Sequence, residues 1–70
     1  NYSQAEKYFT IGLNKVSKSD IVDYLGYILA LSELYYKNSK YDESLKYSEM
    51  GLDVYPYFKE FLNFFKLLRS

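Results

Sequence analysis

Apolar residues recur along this chain at three- and four-residue steps. Ala5, Phe9, Gly12, Leu13 and Val16 form one such series, and Phe58, Phe61, Leu62, Phe65 and Leu68 form another. This is the period of one helix face, not the alternation of a half-buried strand. Three breaks divide the pattern: the polar run VSKSD at 16–20, the short turn KNSK at 37–40, and Pro56. Proline cannot continue a helix but suits the first turn of a new one. Asp20, with Asp23 three residues on, stands where a capping box would open the second helix. The pattern predicts four helices at about 2–16, 20–38, 41–54 and 57–69 in a single domain, residues 1–70. The short connections favour antiparallel neighbours, so the fold class is all-α, built of antiparallel helical hairpins.

The second segment differs from the others. Ile21, Val22, Tyr24, Leu25, Tyr27, Ile28, Leu29, Leu31, Leu34, Tyr35 and Tyr36 cover most of its circumference. A helix apolar nearly all round is expected to be buried nearly all round. One stripe, Asp23, Gly26, Ala30, Glu33 and Lys37, is polar or small.

The third segment raises a different problem. Ser44, Ser48 and Gly51 lie on one side of it, although serine is an indifferent helix former and an interior glycine costs about 1 kcal/mol against alanine. Close approach of a neighbouring helix explains the stripe, with Ile28, Leu31 and Tyr35 of the second helix expected to pack into it. An internal repeat supports this. YSQAEKYFTIGLN aligns with YDESLKYSEMGLD at a constant offset of 39, pairing Tyr2 with Tyr41, Lys7 with Lys46, Tyr8 with Tyr47, Gly12 with Gly51 and Leu13 with Leu52. Ser44 falls on Ala5, small on small, while Ser48 falls on Phe9 and breaks the match.

The stretch ILALSELYYKNSKYDESLKYSEMGLDVYP resembles a tetratricopeptide repeat. Its bulky, small and closing positions match at Ile28, Leu31, Ser32, Tyr35, Tyr41, Ser44, Gly51, Leu52 and Pro56. It departs from the family at Ser32 and Ser39, where glycine is usual, and at Ser44 and Gly51, where alanine is commoner. The offset of 39 exceeds the family period of about 34 residues, placing extra residues in the VSKSD region. The resemblance covers Leu25 to Pro56 well and Tyr2 to Val16 fairly, with the fourth segment as the first helix of a further unit or a solvating cap. It implies a right-handed α-solenoid fragment of four helices. It also implies a peptide groove lined by Gly26, Leu29, Ala30, Glu33, Tyr36 and Lys37, which nearly coincides with the stripe from Asp23 to Lys37. The family's carboxylate-clamp binders carry Lys and Asn where this chain has Leu29 and Glu33, so a clamp for a terminal carboxylate is not expected.

Composition narrows the chemistry. The chain has no Cys and no His, so disulfides and the common zinc sites are out of reach. A domain of this size buries only about 60% of its unfolded surface. Nine basic and nine acidic residues cancel, without the basic excess expected of a nucleic-acid binder. No apolar run approaches the ~20 residues of a membrane span, and no signal-peptide pattern opens the chain. The absence of cysteine fits a cytoplasmic setting. The first residue is Asn, which fits a fragment or a processed chain. Ten Tyr and five Phe with no Trp fit AT-rich coding as well as a functional cause. Asp20, Asp23, Asp42 and Glu43 sit near helix starts, where carboxylates compensate the helix dipole. There is no EF-hand spacing and no Gly-rich phosphate loop. Catalysis is therefore not expected, and neither is a cofactor, a metal or direct nucleic-acid or membrane contact.

Two non-catalytic functions remain. One is a groove module that reads a protein or peptide through Asp23, Gly26, Leu29, Ala30, Glu33, Tyr36 and Lys37. The other is a self-association or scaffold unit acting through residues 57–69. There the candidate partner surface comprises Phe61, Phe64, Phe65, Leu67 and Leu68, with Phe64 and Leu67 as the surplus beyond the edge of the core-facing face. Glu33→Lys should damage the first, and Phe64→Asp the second. The Tyr- and Lys-rich texture is also similar to the helical-repeat sensor domains of bacterial peptide-pheromone-responsive transcription regulators. That similarity implies part of the peptide-sensing, dimerising half of a longer chain.

Overall fold

The computed structural model describes residues 1–17 and 19–69. Among the described residues there are four helices and no strand: α1 (Tyr2–Lys15), α2 (Ile21–Lys37), α3 (Tyr41–Val54) and α4 (Lys59–Arg69). Consecutive helices pack on one another, and α2 also touches α4. The backbone fills a slab of 33 × 29 × 14 Å. That thinness leaves most helices one solvent-facing side, and among the described residues none of α1 is buried. Tyr24, Leu25, Ile28 and Phe61 form the core, flanked by half-buried Leu13, Leu29, Tyr47, Met50 and Phe58.

Helix ends follow local chemistry, with two departures from expectation. Asn1 caps α1, its Oδ1 accepting from the Gln4 amide at 3.2 Å. Asp20 precedes α2 but its side chain makes no capping hydrogen bond. Pro56 does not start α4. It occupies the second position of a turn closed by the Phe58 amide on the Tyr55 carbonyl at 3.1 Å, the place where a φ pre-set near −65° suits a β-turn, and the helix begins at Lys59.

The α2–α3 turn depends on Ser39, whose φ is 61°. This left-handed conformation costs a residue with a Cβ about 1–2 kcal/mol. Ser39→Gly is expected to stabilise the fold by about 0.5–1 kcal/mol, less than the full strain because glycine also enlarges the unfolded ensemble. A chemical melt measures it; an unchanged or lowered midpoint would show that the turn gains nothing from relief of the strain.

The central position of α2 holds from Tyr24 onward, with Tyr24, Leu25, Ile28, Leu31, Ser32 and Tyr35 buried. It fails in the first turn, where Ile21 and Val22 are exposed, because no helix reaches over that end. The small stripe of α3 is buried throughout. A ladder of hydroxyl-to-carbonyl bonds satisfies the buried serines: Ser48 Oγ donates to Ser44 O at 2.9 Å, Ser44 Oγ to Ser32 O at 2.9 Å, and Ser32 Oγ to Ile28 O at 3.0 Å. Ser44 therefore brings α3 onto α2, as expected.

Gly51 does something else. A Cβ placed on it would lie 2.6 Å from the ring of Phe61, on α4. The stripe thus has a second neighbour besides α2: α4 reaches it at Gly51, a contact that the expected packing of Ile28, Leu31 and Tyr35 did not include. Gly12 repeats this arrangement, since a Cβ there would collide with the ring of Tyr27 on α2. The two contacts are equivalent: Gly51 follows Gly12 by 39 positions, and Phe61 follows Tyr27 by 34.

Tyr35 ties three helices together. Its hydroxyl donates to Glu6 Oε2 at 2.7 Å, its ring stacks on Tyr47 at 5.6 Å, and Tyr2 meets it edge-on at 6.4 Å. Burial, reinforced by the Glu6 carboxylate, pushes the phenol's pKa well above its ordinary value. Among the described residues, no helix is long and apolar enough to cross a membrane.

Candidate functional site

The stripe expected to line a groove is accessible along most of its length. Asp23, Gly26 and Lys37 are exposed, while Leu29, Ala30, Glu33 and Tyr36 are half-buried. The structure distributes these residues among several depressions. Asp23 and Gly26 line one of about 300 Å³ with Tyr8, Phe9, Val22 and Tyr27. Ala30, Glu33 and Lys37 line another of about 240 Å³ with Phe9 and Leu34. Phe9 belongs to both, so α1 forms the opposite bank of a shallow trough along α2.

On the other flank, Gly26 and Leu29 line a pocket of about 340 Å³ with Ile21, Val22, Leu25, Tyr55 and Phe58. Tyr36 is separated from the rest of the stripe. Its ring packs against Tyr41 at 5.6 Å and Phe64 at 5.5 Å, and it lines a depression of about 230 Å³ with Tyr41, Leu67 and Leu68.

The chain matches no family model, no curated protein and no solved structure.

Gly26 is the most informative residue there. Gly12 and Gly51 are each pressed against an aromatic ring, but around a Cβ on Gly26 nothing lies within 4 Å. Among the described residues no contact calls for a glycine at this point, although it sits inside α2 and weakens the helix. With Val22, it is common to the pockets on both flanks.

The proposed partner surface on α4 is rearranged by the structure. Phe61 is 0% exposed, so it belongs to the core and cannot face a partner in this fold. Phe64 is half-buried against Tyr36 rather than beyond the packed face, and Phe64→Asp would disturb that internal contact as well as any outer one. Phe65 is half-buried under the Arg69 guanidinium, 5.1 Å from its ring centroid. Leu68 is half-buried and Leu67 exposed.

Sequence reasoning missed the apolar surface at the opposite end. Val22 is 85% exposed and Tyr57 82%, with Ile21 and Tyr55 also open. Periodicity placed Ile21 and Val22 on a helix expected to be buried nearly all round, because it cannot see where the neighbouring helices stop. No group of three or more carboxylates able to hold a metal ion occurs among the described residues.

Proposed function

We propose that this chain is a non-catalytic helical-repeat module of the tetratricopeptide kind, which binds an extended peptide along the exposed stripe of α2. The observation that carries the proposal is Gly26: a helix-weakening residue, open to solvent, with a depression on each side. Such a glycine is accounted for by close approach of another backbone. Three features support the repeat assignment. The ring contacts of Gly12 and Gly51 fall on residues 34 positions apart, close to the family period of about 34 residues. Buried Ser44 and Gly51 of α3 sit where the family keeps small residues, and Ser39 adopts the left-handed conformation that favours the family's glycine.

The alternative, self-association through α4, is favoured less. By the same 34-residue equivalence, Lys66 stands where α2 carries Ser32, the residue whose carbonyl receives Ser44, and Arg69 stands where α2 carries Tyr35. A long cation at the point of closest approach obstructs a further helix packing on α4 as α3 packs on α2. It suits a solvated cap.

Two substitutions at one position test the proposal. Gly26→Ala is expected to raise stability by about 0.5–1 kcal/mol, since it improves helix propensity and meets open space. Gly26→Leu should fold but lose affinity for peptides selected against the wild-type chain by about tenfold or more, equivalent to roughly 1.4 kcal/mol. Selected peptides that bind both variants equally well, or whose amide-shift footprint lies off α2, would overturn it.

A further inference from the structure

We propose that the N-terminal half of α2 recognises an extended peptide carrying a large apolar residue next to lysine or arginine. This names the partner's chemistry and rests on the peptide-binding reading above. Two depressions meet along a shared ridge of Val22 and Gly26, and they differ in kind.

The first, of about 340 Å³, is walled by Ile21, Leu25, Leu29, Tyr55 and Phe58. None of its walls among the described residues is charged, and its volume falls in the range of ligand pockets, about 300–1,000 Å³. It suits an aliphatic or aromatic side chain. The second, of about 300 Å³, is walled by Tyr8, Phe9, Tyr27 and Asp23. Aromatic faces beside a carboxylate attract an ammonium or guanidinium group, through the ring quadrupole and through charge. A carboxylate ligand would be repelled by Asp23, which is itself exposed and so able to meet a ligand.

The ridge explains why the two preferences are coupled. Adjacent side chains of an extended strand point to opposite sides. A strand lying along α2 over Gly26, where no side chain stands in the way, directs one residue into the apolar pocket and its neighbour towards Asp23. Charge complementarity with Asp23 therefore selects the partner, and the apolar pocket anchors it.

The test uses the isotope-labelled full chain and three short blocked peptides, with Leu-Lys, Leu-Glu or Ala-Lys at their centre. Leu-Lys is expected to shift the amides of Asp23, Gly26 and Leu29. It should bind about fivefold more tightly than either of the others, the discrimination one exposed charge pair or one small apolar difference supplies. Asp23→Asn should remove the preference for Leu-Lys over Leu-Glu together with its salt dependence. Asp42→Asn, which removes a first-turn carboxylate from α3, should leave both intact. Equal binding of Leu-Lys and Leu-Glu at these amides would overturn the inference and leave the peptide-binding reading standing. Failure of every peptide, including a randomised pool, to shift any α2 amide would remove both. Shifts of the same amides with protein concentration alone would assign the pockets to a second copy of the chain and overturn the inference.

Discussion

Phe61→Ala is expected to cost about 3–5 kcal/mol, the range for truncating a fully buried phenylalanine. Phe61 is wholly inaccessible and is the one buried residue of α4 among those described. Its ring contacts Phe58 at 4.9 Å and covers Gly51. A domain of this size has a total stability of roughly 4–10 kcal/mol, so the loss takes up much of the margin. A thermal melt followed by circular dichroism should fall by roughly 12 °C or more. Hydrogen exchange should show the α4 amides losing protection first, because this ring is what holds the helix to α3. A loss under about 1 kcal/mol would be typical of a peripheral aromatic residue and would contradict the packing described.

Gly51→Leu attacks the same contact from the other side and is expected to cost about 3 kcal/mol, the upper part of the range for overpacking. Even a methyl group at Gly51 would lie 2.6 Å from the Phe61 ring, and that ring is fully enclosed. The cost should depend on Phe61 and not on α2. In a double-mutant cycle, combining Gly51→Leu with Phe61→Ala should recover about 1 kcal/mol or more relative to the sum of the single changes, as contacting residues commonly do. Additive losses would place the clash elsewhere. Coupling to Ile28 in place of Phe61 would restore the simpler picture in which the small stripe serves α2 alone.

The two substitutions also separate what could be read in the chain from what could not. The helical class was legible because periodicity is a local property, and Phe58, Phe61, Leu62 and Phe65 announce a face whatever they pack against. The need for small residues at Ser44, Ser48 and Gly51 was legible as well, since each sacrifices helix propensity. Which neighbour each one meets was not. Gly51 is one turn beyond Ser48, far enough along α3 to reach α4. The stripe from Asp23 to Lys37 could be drawn from the sequence, but not its division into separate depressions, because their far walls come from Tyr8 and Phe9 on α1 and from Tyr55 and Phe58 beside α4.

Four helices, their short connections, the small-residue face of α3 and the lack of cysteine and histidine chemistry follow from residue order and composition alone. The packing of the helices is what encloses Phe61 completely, leaves the first turn of α2 uncovered, and keeps the described residues of the other helices away from Gly26 while pressing rings on Gly12 and Gly51. The physical reason is that secondary structure follows from spacing within one segment. Burial depends on where a neighbouring helix ends, and in a slab 14 Å thick a single helical turn separates a core position from an exposed one.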